Sequence, residues 1–359
     1  MVLGSFDRNL SYPKSLYYSA AGYGFAYVPK GMWLESVAHW DDASNQFLAF
    51  LYGLSHERAV PERITDEEQA WQEYMSRIRR YLQQGSPVQI AKGWEARFDK
   101  GEIVNVGTGM RTYWWEGAAW TPSHYFAAVG LDEREGVLYI HDAVLGWFGT
   151  GKYYKLELEA LKKATKSLPP HLKYVTITFK KGEGPRKNEP EMESLVKERI
   201  IKKLKGDPSV YDTLEMWRAH FRNEKFPGYQ HGLKAWQAFK KDLEPQEFRK
   251  IVQRFGEGKQ RKPAMLISWM DINVNHFASL TAVSAEYLEE KGMMREWEWL
   301  FKYRMLYEKM RVSTIKLRSI FKATEDINKA VEASTPILKE MAKTVDEAIK
   351  HIESYVPSN

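Results

Sequence analysis

Two residues in this chain have the types and surroundings of an acid–base pair. His124 lies in Ser123-His124-Tyr125-Phe126-Ala127-Ala128-Val129-Gly130-Leu131-Asp132, and Asp142 closes Leu138-Tyr139-Ile140-His141-Asp142. An imidazole takes up protons near neutral pH, and a carboxylate bonded to its second nitrogen fixes its tautomer and orientation. Together they make the base and orienter of a nucleophilic site. The chain contains no cysteine. That excludes thiol catalysis, thiolate metal sites and disulfides. His141, adjacent to Asp142, should point to the opposite face of its strand, which makes it the weaker partner.

Placing the pair together requires a hairpin. Residues 125–131 (YFAAVGL) and 136–141 (GVLYIH) read as strands joined by the charged turn DERE, so the start of one lies beside the end of the other. Upstream, Thr65 with Glu68 forms a capping-box pattern that opens a helix ended by Gly85. A strand begins at once with Pro87-Val88-Gln89. Residues 44–54 read as a helix, 155–168 as another and 173–179 as a period-two strand. The run KKGEGPRKNEP near 181–190 has linker chemistry. Beyond it, 192–205, 230–243 and a nearly unbroken stretch over 264–312 read as helices. Ile320, Ile327, Val331, Leu338, Met341, Val345, Ile349 and Ile352 then form one apolar helical stripe. Such a stripe packs on its neighbours within a bundle or pairs with a second copy as a homodimer through the C-terminal helices.

The order Gly85-Ser86-Pro87-Val88, then His124-Tyr125 through Gly130-Leu131-Asp132, then His141-Asp142 resembles the C39-like branch of papain-fold proteins. The segment Gly22-Tyr23-Gly24-Phe25-Ala26-Tyr27 and the helical second half resemble the butirosin-biosynthesis acyltransferase group within it. The resemblance covers residues 12–180 and, loosely, 190–359. It implies an α+β papain-like domain at 1–182, an antiparallel sheet packed on helices, followed by an all-α helical domain at 188–359. It also implies His124 as general base and Asp142 as its orienter. The family's cysteine nucleophile stands at the start of the first core helix, and the positional substitute in this chain is Ser15, which equally suits a helix N-cap.

Trp94, Trp114, Trp115, Trp120 and Trp147 cluster around the pair in sequence. The Gly-rich aromatic run 101–122 suits the wall of a cleft for an apolar or sugar-like group, and equally suits a sealed core. Gln89 is a weaker candidate donor to the same cleft. Asp271, Asn273 and His276 lack the spacing of a helical metal site, so no metal is expected. Gly22-x-Gly24 lacks a third glycine at dinucleotide-fold spacing, and no Walker motif occurs, so no cofactor is expected.

A net charge of +6 is small beside 53 basic and 47 acidic residues. That balance describes a mixed solvated surface rather than a nucleic-acid footprint. No signal-like apolar stretch and no run of about 18 apolar residues is present, so the expectation is a cytoplasmic protein that does not span a membrane. Abundant Lys and Glu without cysteine fit a thermophile's intracellular protein. The expected partner is a peptide, acyl or small-molecule ligand in the cleft. Without a nucleophile, a non-catalytic, pseudoenzyme-like member is the preferred reading. The alternative is an acyltransferase or peptidase-like hydrolase using His124 and Asp142 with Ser15, or with a cysteine replaced in this sequence.

Overall fold

A computed structural model describes residues 10–30, 33–35, 42–61, 64–93, 95–99, 102–107, 123–141, 154–166, 168, 173–182, 184–221, 224, 227–256 and 263–355. In chain order the elements begin with α1 (Tyr12–Tyr18), β1 (Ala26–Val28), β2 (Trp33–Glu35), α2 (Asp42–Tyr52), β3 (Leu54–Ala59) and α3 (Glu67–Gln83). Next come β4 (Val88–Gly93), β5 (Glu95–Asp99), β6 (Glu102–Gly107), β7 (Ser123–Asp132), β8 (Val137–His141), β9 (Tyr154–Glu157), α4 (Leu158–Lys166) and β10 (Thr176–Lys181). The remainder is α5 (Glu189–Lys205), α6 (Leu214–Phe221), β11 (Gln230–His231), α7 (Gly232–Asp242), α8 (Pro245–Gly256), α9 (Pro263–Glu290), α10 (Met294–Ala323) and α11 (Ile327–Glu353). Two units divide the chain: one centred on residues 52–186, the other built from 11–51, 187–217 and 225–359.

The first unit is mixed α+β. Its six strands run in the order β3-β10-β4-β7-β8-β9, each antiparallel to its neighbours; β5 and β6 pair separately. Alternation along the strands sends Val88, Ile90, Phe126, Ala128, Leu138, Ile140 and Leu156 into one core with Trp71, Tyr74, Met75 and Ile78 of α3. A slipped register between Ala128 and Gly130 inserts one residue into β7, a bulge that bends the strand. Helix α3 starts one residue later than the capping-box pattern implies. Asp66, not Thr65, is the N-cap, accepting from the Glu68 and Gln69 amides at 2.8 and 3.1 Å. An ionised carboxylate binds those orphan amides more strongly than a hydroxyl does. Gly85, at φ +72°, closes the helix as expected. The helix expected over 155–168 is half strand. Residues 154–157 are captured by the free edge of β8, with Leu156 opposite Leu138 and buried, and the helix begins at Leu158.

The second unit takes in residues that the sequence reading assigned to the first domain. Residues 11–51 belong to the helical unit because their aromatic side chains are core to it. Phe25 stacks on Trp236 of α7 at 3.8 Å and 10°. The Tyr27 hydroxyl donates to the buried Asp242 carboxylate at 2.6 Å. Strand β1 pairs with β11 and β2, and Leu16 and Ala21 pack on Leu280 of α9. At the centre of the helices, the Tyr303 hydroxyl accepts from the Trp236 indole at 3.0 Å and from the Tyr307 hydroxyl at 3.0 Å. All three side chains are fully buried.

The long helical stretch is interrupted at Gly292, where φ is +69° and the chain turns from α9 into α10. The terminal apolar stripe is covered inside the unit: Val331, Leu338, Met341, Val345 and Ile352 are all buried.

Candidate functional site

His124 is the second residue of β7, and β7 is interior to the sheet, between β4 and β8. Its backbone stands opposite Lys92 of β4. Strands β7 and β8 are antiparallel, and Ala127 faces His141 at the end of β8. The beginning of β7, the end of β4 and the end of β8 therefore meet at one end of the sheet. The hairpin expected from the sequence is thus formed, with the turn over 133–136 closed by amides of Arg134 and Glu135 donating to the Asp132 carboxylate. The His124 side chain, Asp142, Trp94, Trp114, Trp115, Trp120 and Trp147 lie outside the described residues.

One arrangement on this sheet was not anticipated. Directly opposed residues of antiparallel strands share a face. The pairings Arg58–Ile177, Ile177–Gln89, Gln89–Ala127 and Ala127–His141 therefore align five residues in one row across β3, β10, β4, β7 and β8. Gln89, the weaker candidate donor of the sequence reading, and His141, its weaker partner for the pair, flank Ala127 from either side, two strand spacings or roughly 10 Å apart. Both are partly exposed, whereas the opposite face of the same strands is sealed by α3. The row is not an open recess, because Ala127 and Ile177 between its polar members are buried. Nothing in one strand's sequence carries this signal; it exists only once register is set.

Ser15 is a residue of α1 and not its cap. Ser11 holds the N-cap, accepting from the Lys14 amide at 3.2 Å. The Ser15 hydroxyl donates to the Tyr12 carbonyl at 2.8 Å, within its own helical turn.

Asp271 and His276 have structural uses. Asp271 accepts from Thr314 at 3.0 Å and pairs with Arg318 at 2.9 Å, and burial pushes the His276 imidazole down to about 4. Among the described residues, no group of three or more His, Asp or Glu side chains is placed to hold a metal ion. Among the same residues, no helix is long and apolar enough to cross a membrane. The second unit also buries Arg199 and Lys203, whose cationic heads both donate to the Ser44 hydroxyl, at 3.1 and 2.9 Å. Asp212 caps α2 through the Asp42 and Ala43 amides at 3.1 and 2.8 Å. These groups fasten α2 to α5 and leave the first unit's sheet as the candidate site.

Comparison of the chain with protein-family models gives no match, and no curated protein matches it.

Proposed function

We propose that this protein is a papain-like, C39-like member that binds a peptide, acyl or small-molecule ligand without turning it over. The observation that carries the reading is the β7–β8 pair. It sets the strand bearing His124 beside the strand that leads into Asp142, in a chain with no cysteine. A base and its orienter without a thiol retain their hydrogen-bonding capacity and lose the nucleophile. Ser15 does not replace it on this reading, because its hydroxyl is committed to the Tyr12 carbonyl. The Gln89–Ala127–His141 row places an amide and an imidazole on the two strands that neighbour β7 in the same unit.

The test compares full-length wild type with His124→Ala. Turnover is measured on p-nitrophenyl acyl esters, acyl-pantetheine thioesters and N-acyl dipeptides. Binding is measured calorimetrically with the corresponding non-hydrolysable acyl-pantetheine thioethers and with the dipeptides. The expected result is no His124-dependent turnover and saturable binding of at least one probe, weakened about tenfold or more by His124→Ala. Turnover that disappears in His124→Ala refutes the non-catalytic reading. Absence of binding by every probe refutes the ligand class.

A further inference from the structure

Helix α10 exposes Met294, Phe301, Met305, Val312 and Ile315, with relative exposures of 54, 38, 44, 53 and 38%. At about 100° per residue these five lie within an arc of about 80°, and they extend over roughly 32 Å at ~1.5 Å per residue. Trp297 stacks on Phe301 at 5.2 Å and broadens one end of the stripe. The opposite face of α10, with Leu300, Tyr303, Leu306, Tyr307, Met310 and Leu317, is already buried in the unit. Single exposed apolar residues need no explanation, but five aligned along one face of a thirty-residue helix do.

The charges along this stripe point to its occupant. Glu308 interrupts it near its centre, one-third exposed, with Arg304 at 3.9 Å and Arg311 at 3.8 Å on its own helix. Both separations are at the outer limit of an ion pair, so these groups have capacity for a further partner. On the other flank the lysines are neutralised within the chain. Lys302 pairs with Glu298 at 2.7 Å, Lys309 with Glu347 at 2.7 Å and Lys316 with Glu340 at 3.6 Å. An anionic lipid surface would call for unpaired cations there, whereas a second copy requires that this flank not repel itself.

We propose that this face of α10 is a self-association surface, on which the α10 of a second copy packs antiparallel about a two-fold axis beside Met305. In that register each Met305 meets its counterpart. Phe301 lies alongside Val312 of the second copy, and Met294 alongside Ile315 of the second copy. Glu308 comes within reach of Arg304 of the second copy, and the two-fold repeats that ion pair reciprocally. The strip, roughly 32 Å by about 10 Å, amounts to on the order of 300 Å² per copy. A standard stable interface uses about 800 Å² per partner. The contact is well below that size, so the dimer is weak and reversible.

Because the chain has no cysteine, the register can be read directly by introducing one. Met305→Cys should form an intermolecular disulfide under mild oxidation, since only a residue at the axis meets itself within the ~4.4–6.8 Å Cα separation a disulfide needs. Ile315→Cys should not. Sedimentation velocity of the full-length protein should show concentration-dependent dimerisation. Met305→Glu should raise the dissociation constant at least about tenfold, as should Glu308→Arg, and adding Arg304→Glu to Glu308→Arg should restore it. All these positions are on the surface, and unchanged circular dichroism verifies that each variant folds. A protein still monomeric at about 200 µM, a concentration at which even a weak dimer of roughly 0.1 mM dissociation constant is substantially populated, overturns the proposal. So does a dimer indifferent to Met305→Glu, or crosslinking through Ile315→Cys as efficient as through Met305→Cys. Co-sedimentation with phosphatidylserine vesicles without self-association assigns the face to lipid and overturns it as well.

Discussion

Replacing Tyr303 by phenylalanine removes one oxygen from the core of the second unit and leaves its shape nearly unchanged. That oxygen accepts the Trp236 indole N–H and the Tyr307 hydroxyl, both at 3.0 Å and both fully buried. Without it, two donors lose their acceptor where water does not reach. A buried donor left unsatisfied costs about 1–3 kcal/mol, and losing the Tyr303 hydroxyl's own desolvation penalty offsets part of the sum. The expected destabilisation for Tyr303→Phe is about 2–4 kcal/mol. Tyr307→Phe supplies the comparison. It removes a donor, but Tyr303 still accepts from Trp236, so only one net hydrogen bond is lost, about 1 kcal/mol. Neither change opens a cavity, so the difference isolates the hydrogen bonding. The assay is urea denaturation followed at 222 nm, a signal dominated by the helical unit, with unchanged slopes required before midpoints are compared. If Tyr303→Phe is no more destabilising than Tyr307→Phe, the shared-acceptor reasoning is wrong.

Acid should weaken the second unit through its buried histidines. Burial, with Lys203 nearby, holds His231 down to about 3, and burial alone holds His276 down to about 4. Both titrate below the ordinary 6.5, so as pH falls the unfolded chain takes up each proton first. Their stability contribution is complete above about pH 6.5 and is lost progressively towards pH 4 and 3. Each residue keeps some solvent exposure, which screens the effect, so the expected loss at pH 5 is about 1–2 kcal/mol for each. Stability measured against pH should show this slope, and His231→Gln should reduce it; an unchanged slope would count against the assignment.

Gly206→Ala should be severe. A Cβ there would stand 2.2 Å from the His231 carbonyl oxygen at a φ of +75°, and backbone cannot move aside as a flexible side chain can. A loss of about 3 kcal/mol or more is expected by denaturation, and a cost under about 1 kcal/mol would mean that the β11–α5 approach is looser than described.

The β7–β8 hairpin was legible because both strands alternate cleanly and the turn between them is short and charged. The α3 helix and its glycine stop were legible from local chemistry as well. Misreadings arose where a local pattern was ambiguous. Lys155-Leu156-Glu157 fits both a helix start and a strand, and the free edge of β8 decided it. Thr65 and Asp66 are both good caps, and the carboxylate prevailed. Ser15 looked like a cap or a nucleophile because sequence position alone does not say which turn of the helix it occupies.

Sequence by itself determined that this chain has no thiol chemistry, that His124 lies on one strand of a hairpin and His141 on the other, and that its second half is helical. These follow from residue type and short-range periodicity. Tertiary structure decided the rest. It assigned residues 11–51 to the helical unit and buried the terminal stripe while leaving that of α10 open. It also set Gln89 and His141 in one row across Ala127. Each of these depends on contacts between residues far apart in the chain, which local propensity does not encode. Periodicity marks which face of a helix or strand is apolar, and only packing chooses what covers it.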